Sequence, residues 1–201
     1  MGGFFGAVSK HDVISDVFFG TDYHSHLGTR RGGMAAYDSE CGLQRDIHNI
    51  ENSPFRTKFE KIFDEMKGTS AIGCISDTDP QPLLIRSNLG VYAIAIVGAV
   101  NNSDKLIEDY LNYGTGHFLT GTGGKINSVE LISALIDQKS DFVSGIKFAQ
   151  SVIEGSASIL ILKDDGTLIA ARDGLGRLPV LIGKNEDGYC VSFESFAYRK
   201  L

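Results

Sequence analysis

At the N-terminus of a protein, a free α-amine lies beside the side chain of the first residue, and the two groups can act together in catalysis. The first residues of this chain are therefore candidates for chemistry. Met1 is followed by Gly2 and Gly3, and residues 4–8 continue with the apolar character of a buried strand. A strand that begins at residue 2 buries the chain terminus or holds it at the floor of a pocket. An enzyme that attacks amides from that position needs Cys, Ser or Thr there, with the amine as base. Gly2 has no side chain, so the sequence predicts a catalytic scaffold without its nucleophile.

Two adjacent arginines form a second candidate site, this time for an anion. Arg30 and Arg31 precede Gly32 and Gly33, and exposed backbone amides at the two glycines would strengthen the binding of a negative group.

Cys74 and Asp77 are further candidates for ligand binding. Cys74 lies in a short apolar segment and could serve as a replacement thiol, although a buried, inert cysteine in a strand is the commoner case. His24 and His26 could share a metal only if they lay on a strand, and the sequence shows no acid or cysteine paired with them. We therefore expect solvated or core histidines, no metal and no cofactor.

Composition sets the broad class of the protein. The chain has 201 residues, 42% hydrophobic and 22% charged, which favours one folded domain over disorder. A net charge of −6 argues against a nucleic-acid surface. No apolar run approaches the roughly 20 residues of a membrane span, and no secretory leader is visible. The three widely spaced cysteines favour reduced thiols, and we expect a cytoplasmic protein.

The pattern along the chain predicts an α+β fold. Apolar runs and turn signals alternate with amphipathic segments, and an Asp-Gly turn predicts a hairpin near the end. This order favours helices stacked on antiparallel sheets over a doubly wound parallel fold. Five glycines in residues 114–125 predict a mobile loop. Strands are expected at 3–8, 70–75, 91–100, 157–162, 168–171, 180–182 and 189–193, and helices at 12–19, 55–66, 103–111, 128 onward and 142–153. The basic, glycine-containing turn within residues 27–37 is expected to lead into a further strand.

Four motifs, in order, resemble those of class II glutamine amidotransferases. The family opens Cys-Gly-x-Phe-Gly, and residues 2–6 read Gly-Gly-Phe-Phe-Gly. The family's His-Arg-Gly turn resembles Arg-Arg-Gly at 30–32. Its Arg-Asp-Pro-x-Gly-x-Arg-Pro-Leu resembles residues 172–180, and its Ser-Glu-Ser-x-Ala resembles residues 193–197. The chain is most similar to the glutaminase half of amidophosphoribosyltransferase, the first enzyme of purine synthesis.

The resemblance implies a four-layer αββα sandwich of the N-terminal nucleophile (Ntn) hydrolase type. Residues 1–201 would form one such domain, either free-standing or as the N-terminal part of a longer amidophosphoribosyltransferase-like chain. The partners implied are a phosphoribosyltransferase-type domain or subunit, or further copies of the chain, with no nucleic acid and no membrane.

The family's catalytic positions can be transferred one by one. The nucleophilic cysteine corresponds to Gly2, and the arginine that grips the glutamine carboxylate corresponds to Ser76. The oxyanion-hole Asn-Gly pair falls on Val97 and Gly98, of which only the Gly98 amide could still donate a hydrogen bond.

Two further positions follow from the resemblance. The aspartate that holds the substrate amine falls on Ser128, with Asn127 as the other candidate. Likeness to the family's turn also offers a structural ion pair under the N-terminal strand as the alternative to anion binding. We favour that alternative for Arg31 and leave Arg30 open.

Together these changes predict that glutamine hydrolysis is absent. The expected role is structural, regulatory or ligand-binding. One alternative is an enzyme that uses Cys74, Ser76, Asp77 or Ser128 for altered chemistry in the old pocket. Another is a transferase that uses ammonia directly and whose catalytic domain lies beyond residue 201.

Overall fold

Two antiparallel sheets stack face to face in the computed structural model, which describes residues 2–113, 116–119, 121–122 and 124–199. The strands in chain order are β1 (Gly2–Ser9), β2 (Arg31–Asp38), β3 (Gly42–Asn49), β4 (Ser70–Ser76), β5 (Leu83–Ser87), β6 (Gly90–Val100), β7 (Gly121–Thr122), β8 (Lys125–Ile126), β9 (Gly155–Lys163), β10 (Leu168–Ala171), β11 (Leu181–Lys184) and β12 (Gly188–Ser192). The helices are α1 (Ile14–Asp22), α2 (Phe55–Lys58), α3 (Ile62–Glu65), α4 (Ser103–Tyr113), α5 (Ser128–Ile136), α6 (Phe142–Val152) and α7 (Ser195–Arg199), with a 3-10 turn at Ser25–Leu27.

The two sheets differ in width. The first, sheet A, has six strands in the order β11-β12-β1-β4-β2-β3, and sheet B has four in the order β10-β9-β6-β5. Strands β3 and β11 therefore form the two edges of sheet A. On β11 and β12, Ile182 and Tyr189 are large apolar side chains that remain 69% and 50% exposed.

Three apolar layers confirm the predicted α+β, αββα order. In β1, the side chain of Phe4 packs between the two sheets, whereas that of Phe5 packs beneath α1 on the outside of sheet A. Helices α4, α5 and α6 cover the outside of sheet B. Strand β1 is thus buried on both faces, which explains why its sequence is an unbroken apolar run.

Helices α5 and α6 each begin after a residue whose side chain caps the helix N-terminus. Asn127 accepts a hydrogen bond from the Val129 amide (2.8 Å), and Asp141 accepts one from the Ser144 amide (2.9 Å). None of the described helices has the length and apolar character needed to cross a membrane.

The structure differs from the prediction in three respects. Residues 55–66 form two short helices instead of one, because the chain leaves the helical conformation at Phe59 (φ −104°, ψ 16°). The polar edge strand β3 and the short strand β5 were not predicted. In the predicted mobile loop, residues 114, 115, 120 and 123 lie outside the described residues, and the described part includes β7 and β8.

We expect Phe4→Ala to unfold the sandwich readily, because it leaves a cavity between the sheets. The expected loss is about 3–5 kcal/mol of unfolding free energy, measured by urea denaturation. Val143→Ala, which changes a side chain that is 62% exposed, serves as the control and should cost less than about 0.5 kcal/mol. An equal effect of the two substitutions would contradict the placement of Phe4.

Candidate functional site

Three of the predicted positions meet at one end of sheet A. Strand β4 pairs with both β1 and β2, and the register places Ser76 opposite Gly2 on one side and opposite Arg31 on the other. The first residue of β1, the last of β4 and the first of β2 thus form one row.

Gly2 has no room for a side chain. A Cβ built on its backbone would overlap the carbonyl oxygen of Ile75 in β4, which belongs to the backbone and cannot rotate away. At the next residue, a Cβ on Gly3 would lie 2.8 Å from Cδ2 of His24. The N-terminal strand therefore lies too close to its neighbours for a cysteine or serine at position 2 without a shift of the backbone.

Ser76 uses its hydroxyl group locally. Its Oγ accepts a hydrogen bond from the Thr78 amide (3.1 Å) and lies 3.3 Å from Thr78 Oγ1, while the residue is almost fully buried. A short neutral hydroxyl in this arrangement cannot supply the paired, charged hydrogen bonds with which an arginine holds a carboxylate.

The position in β6 that corresponds to the family's oxyanion hole has no side-chain donor, because Val97 is part of the core. Val97 packs between the sheets in the same apolar layer as Phe4 and Cys74. Gly98 is exposed, and a Cβ there would overlap the Ser156 carbonyl oxygen of β9. The position is therefore part of the packing of the sandwich.

A cleft of about 240 Å³ lies beside the former oxyanion position, and we call it the Ser128 cleft. Ser128 lines this cleft, and its amide donates a hydrogen bond to Asp79 Oδ2 (3.1 Å). Asn127 is fully buried, caps α5 and donates from Nδ2 to the Pro80 carbonyl oxygen (3.1 Å). Of the two alternatives for the amine-holding position, Ser128 is the one that faces the cleft. The other lining residues are Thr78, Asp79, Gln81, Ile96, Gly98, Ala99, Val100, Val129, Ile132 and Ser156.

Gln81 is the residue of this region that sequence reasoning missed. Its side-chain amide donates to the Ile96 carbonyl oxygen (2.9 Å) and accepts from the Ile96 amide (2.8 Å), and the residue is 3% exposed. This double hydrogen bond fixes the segment between β4 and β5 against β6. The signal in the sequence was a lone amide side chain in a proline-flanked segment, which is too weak to identify a role.

Asp77 forms a charged contact at the same end of sheet A. Burial alone would raise the pKa of this carboxyl group, but a hydrogen bond from the Thr29 amide (2.7 Å) and the nearby charge of Arg30 hold it below its usual value. The carboxylate therefore stays ionised and organises the turn that precedes β2.

The two arginines are arranged differently from the predicted anion site. Arg30 is exposed, with Nε 3.7 Å from Glu51 Oε1, and Arg31 Nη1 donates to the Arg30 carbonyl oxygen (3.2 Å). Gly32 and Gly33 are buried inside β2, paired with both β3 and β4. The prediction that their amides are exposed to an anion is wrong, because the strand starts at Arg31, before the glycines.

Cys74 and the histidines belong to the interior or to local contacts. Cys74 is fully buried, its thiol lies 3.3 Å from the Gln81 carbonyl oxygen, and burial raises its pKa far above the usual range, so it stays protonated. His24 is buried, with Nδ1 2.7 Å from the Gly20 carbonyl oxygen, and burial lowers its pKa. His26 Nε2 lies 2.9 Å from Glu194 Oε2. Within the described ranges, no three His, Cys, Asp or Glu side chains converge as metal ligands would.

Sequence comparison relates the chain to one group of enzymes. No protein-family model matches it. Three similar curated proteins all bear the name amidophosphoribosyltransferase. That of Archaeoglobus fulgidus is 27% identical over 86% of this chain, that of Methanocaldococcus jannaschii 28% over 100%, and that of Synechocystis 26% over 92%. The match covers 38%, 44% and 38% of those proteins, so this chain spans less than half of their length.

Structure comparison agrees. A glutamine phosphoribosylpyrophosphate amidotransferase from B. subtilis, solved with ADP and GMP, superposes with a TM-score of 0.82 at 27% identity, over 98% of this chain and 43% of that one. A glutamine aminotransferase class-II domain protein from Silicibacter pomeroyi gives a TM-score of 0.54 at 15% identity, over 94% of this chain and 87% of that one, and shares the fold alone.

The fold matches that of the class II glutamine amidotransferases, the Ntn-hydrolase sandwich of two antiparallel sheets with flanking helices. Within that class, the chain is homologous to the glutaminase domain of amidophosphoribosyltransferase.

Gln81→Glu should make stability depend on pH in a new way. When protonated, the introduced carboxyl group can still accept from the Ile96 amide and donate to its carbonyl oxygen. Burial beside that oxygen raises the pKa of the carboxyl group above its unfolded value. The variant should therefore approach wild-type stability in acid and lose stability as the pH rises through the folded pKa.

Urea unfolding at mildly acidic and slightly alkaline pH tests this expectation. Gln81→Leu is the control, because it should lose about 1–3 kcal/mol at both pH values by leaving the two Ile96 groups unpaired. A pH-independent effect of Gln81→Glu would contradict the double hydrogen bond.

Asp77→Asn should make the stability of the protein depend less on pH under acidic conditions. The lowered pKa means that the Asp77 carboxylate contributes stability above its unfolded pKa of about 3.9 and that this contribution is lost as the pH falls through the folded value. Melting temperatures measured from neutral to acid pH should fall less steeply in this variant than in wild type. Asp64→Asn, on an exposed part of α3, removes the same charge and should keep the wild-type slope.

Proposed function

We propose that this chain is a glutaminase-type domain that does not hydrolyse glutamine and that retains a structural, regulatory or ligand-binding role. The single observation that carries the proposal is the closeness of Gly2 to the Ile75 carbonyl oxygen, which leaves no space for a nucleophilic side chain. The position is adapted to a glycine.

The other positions support the same conclusion independently. Loss of the nucleophile of a hydrolytic triad costs a factor on the order of 10⁶ in rate. Loss of one oxyanion donor, as at Val97, costs about 10²–10³ more. Ser76, in place of an arginine, offers no charge to the substrate carboxylate. These losses affect attack, charge stabilisation and binding, so no single replacement would restore the reaction.

The Ser128 cleft also argues against glutamine as a ligand. Its volume of about 240 Å³ lies below the roughly 300–1,000 Å³ of typical small-molecule sites. Gln81 and Ile96 close its inner wall, and the Asp79 carboxylate already accepts the Ser128 amide. Among its lining residues there is no arginine or lysine to pair with an amino-acid carboxylate.

The retained role follows from what the homologues contain beyond this domain. The matching region accounts for 38–44% of the curated relatives described above, so more than half of each relative lies outside it. We propose a cytoplasmic scaffold for a phosphoribosyltransferase-type domain or subunit, with a purine link by homology. An enzyme with altered chemistry is disfavoured because the Cys74 thiol is sealed between the sheets and protonated.

Glutaminase assays on the purified chain test the loss of activity. We expect glutamate release from glutamine at the level of a protein-free control for the wild type. Gly2→Cys, prepared so that residue 2 carries the free α-amine, should also stay at that level, because the thiol has no space and Val97 supplies no side-chain oxyanion donor.

A glutamine-like diazoketone, which alkylates a reactive thiol, provides a second readout by intact-protein mass spectrometry. We expect no adduct on wild type or on Gly2→Cys, and an active class II amidotransferase serves as the positive control. Turnover by wild type would contradict the proposal. Turnover by Gly2→Cys alone would show that only the nucleophile had been lost and that the scaffold was still catalytic.

A further inference from the structure

A second cleft lies among the helices outside sheet B, and we call it the α4 cleft. It has a volume of about 720 Å³, within the range of small-molecule sites and about three times that of the Ser128 cleft. Helix α4 forms one side, and the end of α5 and the second half of α6 form the other. The lining residues are Asn102, Lys105, Leu106, Asp109, Tyr110, Gly116, Leu135, Gln138, Phe148, Val152 and Glu154.

The back of the α4 cleft is fixed by one side chain. Asn102 Nδ2 donates to the Val152 carbonyl oxygen (2.9 Å), and Asn102 Oδ1 accepts from the Glu154 amide (2.9 Å). These bonds join the start of α4 to the end of α6. They fix the relative position of the two helices at this end of the cleft.

The floor and walls of the α4 cleft are apolar and aromatic. Leu106 and Leu135 are buried at the floor, and Tyr110 and Phe148 contribute rings to the walls. Aromatic rings bind flat apolar groups well, and their faces attract cations. Phe148 shows this attraction already, because Lys139 Nζ lies 4.1 Å from its ring centroid.

Two carboxylates of the α4 cleft have no ion-pair partner. Lys105, Asp109 and Glu154 line the cleft, and none of the three forms an ion pair within 4.0 Å of another described residue. Lys139 adds a second ammonium group nearby, since its Nζ lies against the Phe148 ring. A ligand cation would gain Asp109 and Glu154 as partners without displacing an existing ion pair.

We propose that the α4 cleft binds a small molecule with an aromatic body and a protonated amine. The aromatic body fills the space between Tyr110 and Phe148 over the leucine floor, and the amine meets Asp109 and Glu154. The site is separate from the catalytic positions of the glutaminase fold and does not depend on whether glutamine is hydrolysed.

Two matched probes test the proposal by saturation-transfer NMR on the complete chain. Tryptamine carries an indole ring and an ammonium group, and indolepropionate carries the same ring with a carboxylate. We expect tryptamine to bind at millimolar concentrations or below and indolepropionate to bind roughly three- to tenfold more weakly, since exposed charge pairs contribute about 0.2–1 kcal/mol each.

Variants locate the binding. Asp109→Asn with Glu154→Gln should weaken tryptamine roughly three- to tenfold and leave indolepropionate unchanged or bound more tightly. Asp104→Asn with Glu108→Gln is the matched control. Both acids lie on α4 but outside the lining of the cleft, and the two substitutions remove the same amount of charge. Val152→Phe, which fills the cleft, should abolish binding of both probes, with circular dichroism confirming the fold.

Three results would overturn the proposal. The first is no tryptamine binding to the wild-type chain. The second is equal weakening by the Asp109 and Glu154 pair and by the control pair, which would indicate general attraction to an acidic surface. The third is unchanged binding in a folded Val152→Phe variant, which would place the probe elsewhere.

Discussion

The burial of β1 on both faces is the constraint on which the rest of the structure depends. The strand starts at residue 2, lies between β4 and β12, and sends alternate side chains into the two apolar layers on either side of sheet A. With Phe4 and Phe5 fully buried, the strand has no freedom to slide, because a shift of one residue would exchange the two faces. The terminus is therefore held in place by packing, whether or not it carries a reactive group.

This constraint means that the fold does not depend on the groups at its strand ends. The energy of folding comes from the apolar layers behind those ends. Val97 packs in the layer between the sheets, and Ser76 makes a local hydroxyl contact with Thr78. Neither side chain buries an unpaired charge or amide.

Much of the fold could be predicted from the sequence, because burial on two faces produces long apolar runs. Strands β1, β6 and β9 have such runs, and the start of α5 is marked in the sequence by Asn127. The edge strand β3 was missed because it alternates without a strong apolar face, and only its pairing with β2 makes it a strand. The break between α2 and α3 lies within one continuous apolar stripe, so periodicity does not reveal it.

The site could be predicted less well, for a related reason. Resemblance located Gly2, Ser76 and Val97, but the contacts that give each its present role come from distant parts of the chain. Gln81 is the clearest case, because its partner Ile96 is brought beside it by the pairing of β5 with β6. Likewise, strand β2 begins at Arg31, and its pairing with β4 buries the two glycines that follow.

The unequal width of the two sheets has a consequence for how the molecule behaves at high concentration. The wide sheet A extends past the narrow sheet B, and its edge strand β11 has unpaired backbone hydrogen-bonding groups. The side chains of Ile182 in β11 and Tyr189 in the adjacent β12 are exposed to water. An exposed edge strand of this kind can pair with the strands of neighbouring molecules. Lys184 lies at this edge with Nζ 5.5 Å from the centre of the Tyr189 ring, and its charge opposes stacking of one copy on another. The Lys184 ammonium group thus works against self-association through this edge of sheet A.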